Sequence, residues 1–235
     1  MRHPVWMAGV VMGVDGCSRG WVDVLLAGDG VEALFAPTIG ELAEAARGYG
    51  EFVVMAVDIP VGLPDAGARR ADVMAQRRVG SRSSSVFSSP VHGAVRLDSY
   101  ERAAEIQRRA AGSGLSRQAF GLRAKILEVD AWLPSASCRV VEVHPEVSFA
   151  ELAGCPLSYG KSTWAGVEYR RGLLEGVGLR LASDLGVAGQ RAGVDDVLDA
   201  AVAAWTARRV RDGIARSLPD PPEVFGDGLA AAIWY

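Results

Sequence analysis

Five acidic residues and one histidine in this chain have side chains suited to phosphoryl transfer: Asp15, Asp58, Glu142, Asp196, Asp199 and His144. Asp15 follows the apolar run Gly9–Val14, Asp58 lies near the end of the run Phe52–Ile59, and Glu142 sits inside Val140–Val143. Asp196 and Asp199 open the Ala-rich segment Asp195–Arg211. Where strands with such ends lie side by side and point the same way, their carboxylates converge on one edge of the sheet. Carboxylates gathered that closely repel one another unless a cation joins them. Mg²⁺ and Mn²⁺ are hard cations that prefer oxygen ligands, and two of them about 3.5–4 Å apart stabilise both the attacking and the leaving oxygen of a phosphodiester. The set predicts a metal-dependent phosphoryl-transfer site.

Each residue also has a plainer use. Asp15, before Gly16, and Asp58, before Ile59-Pro60, are both placed to form turns. Glu142 lies in a strand with one face expected to be buried, which favours a site role. His144 shares that face by the two-residue period and reads either as a proton carrier or as a hydrogen-bonded structural residue. Asp195, Asp196 and Asp199 suit the first turn of a helix, where they cap free amides and meet the positive end of the dipole. Positions 196 and 199, or 195 and 199, can share a helix face. Asp199 precedes Ala200-Ala-Val-Ala-Ala204, a face small enough to lie against a sheet and hold an acid near the strand ends.

The elements that must position these residues follow from hydrophobic period and turn residues. Gly9–Val14, Trp21–Ala27 and Val31–Ala36 read as three strands joined by glycine turns, an antiparallel meander. Thr38-Ile-Gly-Glu41 is a capping-box pattern opening a helix. Phe52–Ile59 reads as a fourth strand in a buried, parallel part of the sheet, and Arg139–Val143 as a fifth. Helical patterns cover 66–78, 99–111, Trp164–Val177 and Asp195–Arg211, the last read as a terminal helix. The predicted fold is one α/β domain over 1–235 with a mixed five-stranded sheet. Its core covers about 7–65 and 138–235, and a helical, Arg-rich insertion covers about 66–137. Large apolar residues are too few in that insertion for a second hydrophobic centre.

The chain has 235 residues with a formal net charge of −3, far from the basic balance usual in nucleic-acid-binding domains. That total is uneven. Residues 66–125 hold 12 Lys+Arg against four Asp+Glu, a balance of +8, which leaves −11 on the remainder. Lys125 and Lys161 are the only lysines, the other basic residues being arginine. Three cysteines without a C-x-x-C pair form no disulfide framework and no zinc knuckle. The apolar stretch Val5–Val14 is about half the roughly 20 residues of a membrane span and lacks a cleavage pattern. These features predict a cytoplasmic protein with no membrane partner; Met7 reads as an alternative start, which would make residues 1–6 dispensable. No motif sets an oligomeric state.

Five ordered blocks carry a family resemblance: Gly13–Val22, Val57–Leu63, Ser81–Phe87, Glu142–Phe149 and Asp195–Ala200, with Gly228–Tyr235 at the end. Together they resemble the prokaryotic family called domain of unknown function 429, regarded as ribonuclease-H-like nucleases. The resemblance implies a ribonuclease-H-like core with acids on the first and fourth strands and on the last helix. Asp15 matches the first-strand acid and Asp58 the position just past the fourth strand. Asp196-Val-Leu-Asp199-Ala200 is similar to the Asp-x-x-Asp-Ala pattern of Holliday-junction resolvases, whereas Glu142 belongs to a block with no equivalent catalytic strand there.

The expected reaction is two-metal hydrolysis of a nucleic acid or smaller phosphoester. Asp15 would bridge two Mg²⁺ or Mn²⁺ ions, Asp58 and Asp196 or Asp199 would complete their shells, and Glu142 or His144 would assist proton transfer. Arg82, Ser84, Ser85 and Lys161, with Ser18 and Arg19 in the first turn, are candidate phosphate donors, or else a solvated polar surface. Phe87 and Trp164 are placed to stack on bases, although a core position is the commoner use of tryptophan. Two other functions compete. The turn Asp15–Gly20 resembles the first phosphate loop of actin-like ATPases, which generally need two such domains. A non-catalytic nucleic-acid-binding module would rely on the Arg-rich insertion alone.

Overall fold

The computed structural model describes residues 9–235; Met7 and the first part of the run from Val5 fall outside the described residues. Strands β1 (Val10–Cys17), β2 (Gly20–Ala27) and β3 (Gly30–Ala36) form the expected meander, with Asp15 in register with Val22. Asp15 is therefore a strand residue, not the first residue of a turn. Helix α1 (Ile39–Ala46) starts where Thr38 accepts the Glu41 amide, and β4 (Phe52–Val57) returns parallel to β1.

Between β4 and the next strand run α2 (Arg70–Val79), a 3₁₀ turn at Gly80–Ser85, α3 (His92–Val95), α4 (Tyr100–Ala111), α5 (Arg117–Gly121) and α6 (Arg123–Trp132). Then come β5 (Arg139–Val143), α7 (Pro145–Ala153), α8 (Trp164–Gly176), α9 (Gly186–Arg191) and α10 (Val194–Arg211).

The sheet has seven strands in the order β3-β2-β1-β4-β5-β7-β6, not five, and α10 is not terminal. The added strands are β6 (Ser217–Val224) and β7 (Ala230–Trp234), with β7 parallel to β5 and antiparallel to β6. Three prolines in β6 and three alanines in β7 hide them from propensity. Proline is tolerated on an edge strand, which β6 is, and the alanines of β7 gain their order from burial between neighbours.

Apolar side chains cover both faces of the sheet. On one, Val11, Val24 and Ala56 pack against the Ala200–Ala204 face of α10; on the other, Met12, Leu25 and Met55 pack against α1 and against Ile126 and Val129 of α6. The insertion is thus joined to the main core through α6. The Glu128 carboxylate reinforces that joint by accepting from the Trp21 indole at 2.9 Å and from the Ile39 amide at 2.7 Å. Contrary to expectation the insertion also has a centre of its own, built mainly from small residues: Val91, Ala94, Ala103, Ala104, Leu115 and Ala119. Close helix packing through alanine replaces the large side chains that were missing. Among the described residues, no helix is long and apolar enough to cross a membrane.

Candidate active site

Three carboxylates from three elements meet at the end of the parallel strands. The β1–β4 register pairs Val14 with Val57, and the Asp58 amide continues it by donating to the Val14 carbonyl at 2.9 Å, so Asp15 and Asp58 are neighbours. The third acid arrives because α10 lies almost on the backbone of β1. A Cβ on Gly13 would be 1.9 Å from the Ala204 nitrogen and 2.2 Å from the Ala200 oxygen, so only glycine permits this approach. Asp199, one residue before Ala200, is carried down onto the strand ends. Asp15, Asp58 and Asp199 each offer a carboxylate oxygen within 4.8 Å of the others, a donor set for a hard cation.

The electrostatics follow from crowding. Asp15 and Asp199 are 7% and 3% exposed. Burial raises the Asp15 pKa well above the ordinary carboxylate value, and the charges of Asp58, Asp199 and Asp196 raise it further. Asp58 is raised in the same way by burial and then by Asp199. Asp199 reaches about 6, because burial raises it while Lys161 holds it down. The Lys161 ammonium donates to Asp199 at 2.7 Å and lies 3.5 Å from Asp195. It is one positive charge against several negative ones.

The other expected residues divide. Asp196 lines the rim of the cavity, half-buried, and its carboxylate accepts the Gly193 amide at 3.0 Å as a helix cap. Asp199, not Asp196, is the member of the pair that joins the cluster. Glu142 also lines the cavity, but it stands outside the triad: both of its oxygens meet the Arg69 guanidinium, and one accepts the Val61 amide at 2.8 Å. Burial raises the Glu142 pKa and Arg69 opposes that rise. His144 places Nε2 3.3 Å from the Ser85 carbonyl, leaving Nδ1 buried without a partner among the described residues, and burial lowers its pKa.

Of the phosphate donors, Arg82, Ser85 and Lys161 line the cavity, whereas Ser18, Arg19 and Ser84 are exposed and stand away from it. Arg82 also donates to the Leu157 carbonyl at 3.3 Å, tying the insertion to the segment that carries Lys161. Phe87 lines the cavity and is 39% exposed. Trp164, for which a core position was favoured, is 80% exposed at the start of α8. Helix α8 buries Gly166, Arg170 and Leu174, which leaves its first residue outside the packed face.

Three participants carry little mark in the sequence. Glu146, in the first turn of α7, lines the cavity with one oxygen on Arg170 and the other buried without a partner among the described residues. Arg69 neutralises Glu142. Lys125 reaches the cavity from α6, with its ammonium over the Trp21 ring at 4.0 Å and donating to the Gly20 carbonyl. Composition alone offered a clue to Lys125: in a chain that writes its cations as arginine, both lysines line the same cavity. That cavity has a volume of about 370 Å³ and holds the triad in its wall.

Comparison with known proteins gives one match. A family model described as "Protein of unknown function (DUF429)" matches residues 13–224. No curated protein and no solved structure matches the chain.

Proposed function

The chain belongs to the DUF429 family, and from the site it carries we propose that it is a metal-dependent phosphodiester hydrolase acting on nucleic acid, built on a ribonuclease-H-like core. The observation that carries this reading is the meeting of Asp15, Asp58 and Asp199, from β1, the end of β4 and α10, within 4.8 Å in the wall of a cavity. Buried carboxylates that raise one another's pKa are a poor arrangement for stability and a good one for a divalent cation.

The all-oxygen donor set suits a hard cation such as Mg²⁺ or Mn²⁺ and lacks the thiolates and imidazoles that softer metals prefer. A divalent cation held by Asp15, Asp58 and Asp199 would neutralise the cluster and polarise a phosphoryl oxygen. The remaining work belongs to side chains around it. Lys161 and Arg82 supply positive charge for phosphate oxygens, with Arg82 able to engage two of them through its planar fork. His144 would serve as the proton acceptor through Nδ1, which has no partner among the described residues, with Nε2 set against the Ser85 carbonyl. Asp196 at the rim helps to orient the N-terminus of α10 and thereby Asp199. In the turn Asp15–Gly20, Asp15 and Gly16 line the cavity, whereas Ser18 and Arg19, which would hold a nucleotide's phosphates in an ATPase, do not.

Two measurements test the reading. Mn²⁺ should raise the unfolding temperature of the full chain and fail to do so in Asp58→Asn; absence of any response in the wild type would remove the metal site. Hydrolysis of oligonucleotides or of a small phosphodiester in Mn²⁺ should likewise depend on Asp58. ATP turnover without diester cleavage would instead favour the ATPase, and binding without either activity would favour the non-catalytic module.

A further inference from the structure

The shape of the cavity limits what can reach the triad. Asp15 and Asp199 are buried in its wall, whereas Arg82, Ser85 and Lys125 of the insertion between β4 and β5 are half-buried and Phe87 is exposed, so the insertion supplies an outer rim of the lining. A phosphorus atom that reacts there must come within bonding reach of groups held by the triad, behind this rim. The volume of about 370 Å³ is at the small end of the range for compact organic ligands, roughly 300–1,000 Å³. It accommodates a phosphoester and one attached nucleoside-sized group. That volume has no room for an intact duplex. Enzymes that act within enclosed pockets take one nucleotide out of the stack to do so.

The lining suits such a unit. Phe87 presents a partly exposed ring beside the buried Val86, with Leu122 on the same cavity, giving an apolar wall on which one base can stack. Arg82, Lys125 and Lys161 supply cations around the phosphate. The contribution of the insertion is independent of the acids: α6 is fixed by Glu128 to Trp21 and Ile39, so Lys125 and the adjoining wall are built into the fold.

Resting on the hydrolase reading above, we propose that the substrate is a phosphodiester carried on one unpaired, nucleoside-sized unit, presented at the end of a single strand or free as a small diester, and that continuous strands are excluded. In the reaction, water adds its oxygen to phosphorus, the P–O bond to the next group breaks, and the departing oxygen receives a proton. A strand is then shortened by one nucleotide at a time.

The experiment compares four substrates with the full chain in Mn²⁺: thymidine p-nitrophenyl phosphate, a linear single-stranded oligonucleotide, the same oligonucleotide circularised, and supercoiled plasmid. The Asp58→Asn variant serves as the blank. Turnover of the small ester or of linear ends, with the circle at least a hundredfold slower and the plasmid intact, supports the proposal. A shortening ladder on the linear strand identifies strand ends as the source; turnover confined to the ester identifies a free diester. Cleavage of the circle within about threefold of the linear strand, or nicking of the plasmid, overturns the size limit and leaves the hydrolase reading standing. Failure on all four substrates overturns the hydrolase reading itself, and the size limit with it.

Discussion

Two groups of acids line the same cavity and are treated oppositely by their surroundings. In the first, Asp15, Asp58 and Asp199 share the single ammonium of Lys161. In the second, Glu142 and Asp72 share Arg69, whose guanidinium is fully buried, and the Val61 and Ser89 amides complete their hydrogen bonds. Asp58 is half-buried and the other four acids are buried, so burial alone does not separate the two groups. The supply of donors does. A network whose charges and lone pairs are matched holds the loop after β4 and the start of α2 against β5. A cluster with more carboxylates than donors keeps its acids at raised pKa instead, through burial and mutual repulsion.

The comparison can be broken at Arg69. Arg69→Met should leave Glu142 and Asp72 buried without their cation and destabilise the protein by about 3–5 kcal/mol, read by urea unfolding; a loss below about 1 kcal/mol would show that the network is not matched as described. Removing an acid from the triad should have no such cost but should abolish the response to metal. At a Mn²⁺ concentration a hundredfold above Kd, the wild type should gain about 2.7 kcal/mol, Asp58→Asn almost none, and Glu142→Gln most of it. Because each shift is measured against the same variant without metal, differences in baseline stability cancel. Equal loss of the shift in Asp58→Asn and Glu142→Gln would merge the two groups into one site.

A third acid sharpens the contrast. Asp23 in β2 is fully buried, accepts the Leu34 amide at 3.0 Å, and among the described residues has no partner for its second oxygen; it does not line the cavity. Burial pushes its pKa up to about 8. An acid raised in the folded state contributes its full stability below the unfolded pKa of about 3.9 and loses it as pH rises toward the folded value. Asp23→Asn should therefore become relatively more stable between pH 4 and pH 8, by up to about 1.4 kcal/mol for each pH unit; a difference that does not vary with pH would refute the assignment. The smallest effect is expected for Asp58→Asn without metal. Relief of repulsion should stabilise it by about 1 kcal/mol at pH 8 in EDTA, with the gain fading as pH falls through the unfolded pKa of about 3.9, below which Asp58 is protonated in both states.

Much of this arrangement was legible as pattern. Apolar runs located the first five strands, and Asp15 and Asp58 stood out because each closes such a run. The alanine face after Asp199 pointed to a helix lying close on the sheet. What pattern could not supply was partnership across long separations. Glu142 reads correctly as an unusual acid in a buried strand, but the residue that answers it, Arg69, is 73 positions away. Nothing in the local sequence of either predicts that pairing. Lys125 and the short strand β7 were concealed for a related reason, since each gains its place from tertiary packing and not from its own propensity.

Gly13 is a missing side chain that works as a spacing gauge. With 1.9 Å to the helix backbone at the point where a Cβ would stand, the distance between α10 and β1 is set by main chain against main chain. Side chains can rotate to absorb an error; a backbone contact cannot. The separation of Asp15 from Asp199 is thereby decoupled from repacking elsewhere in the core, and the tolerance of the whole carboxylate cluster is governed by a residue that contributes no atom to it.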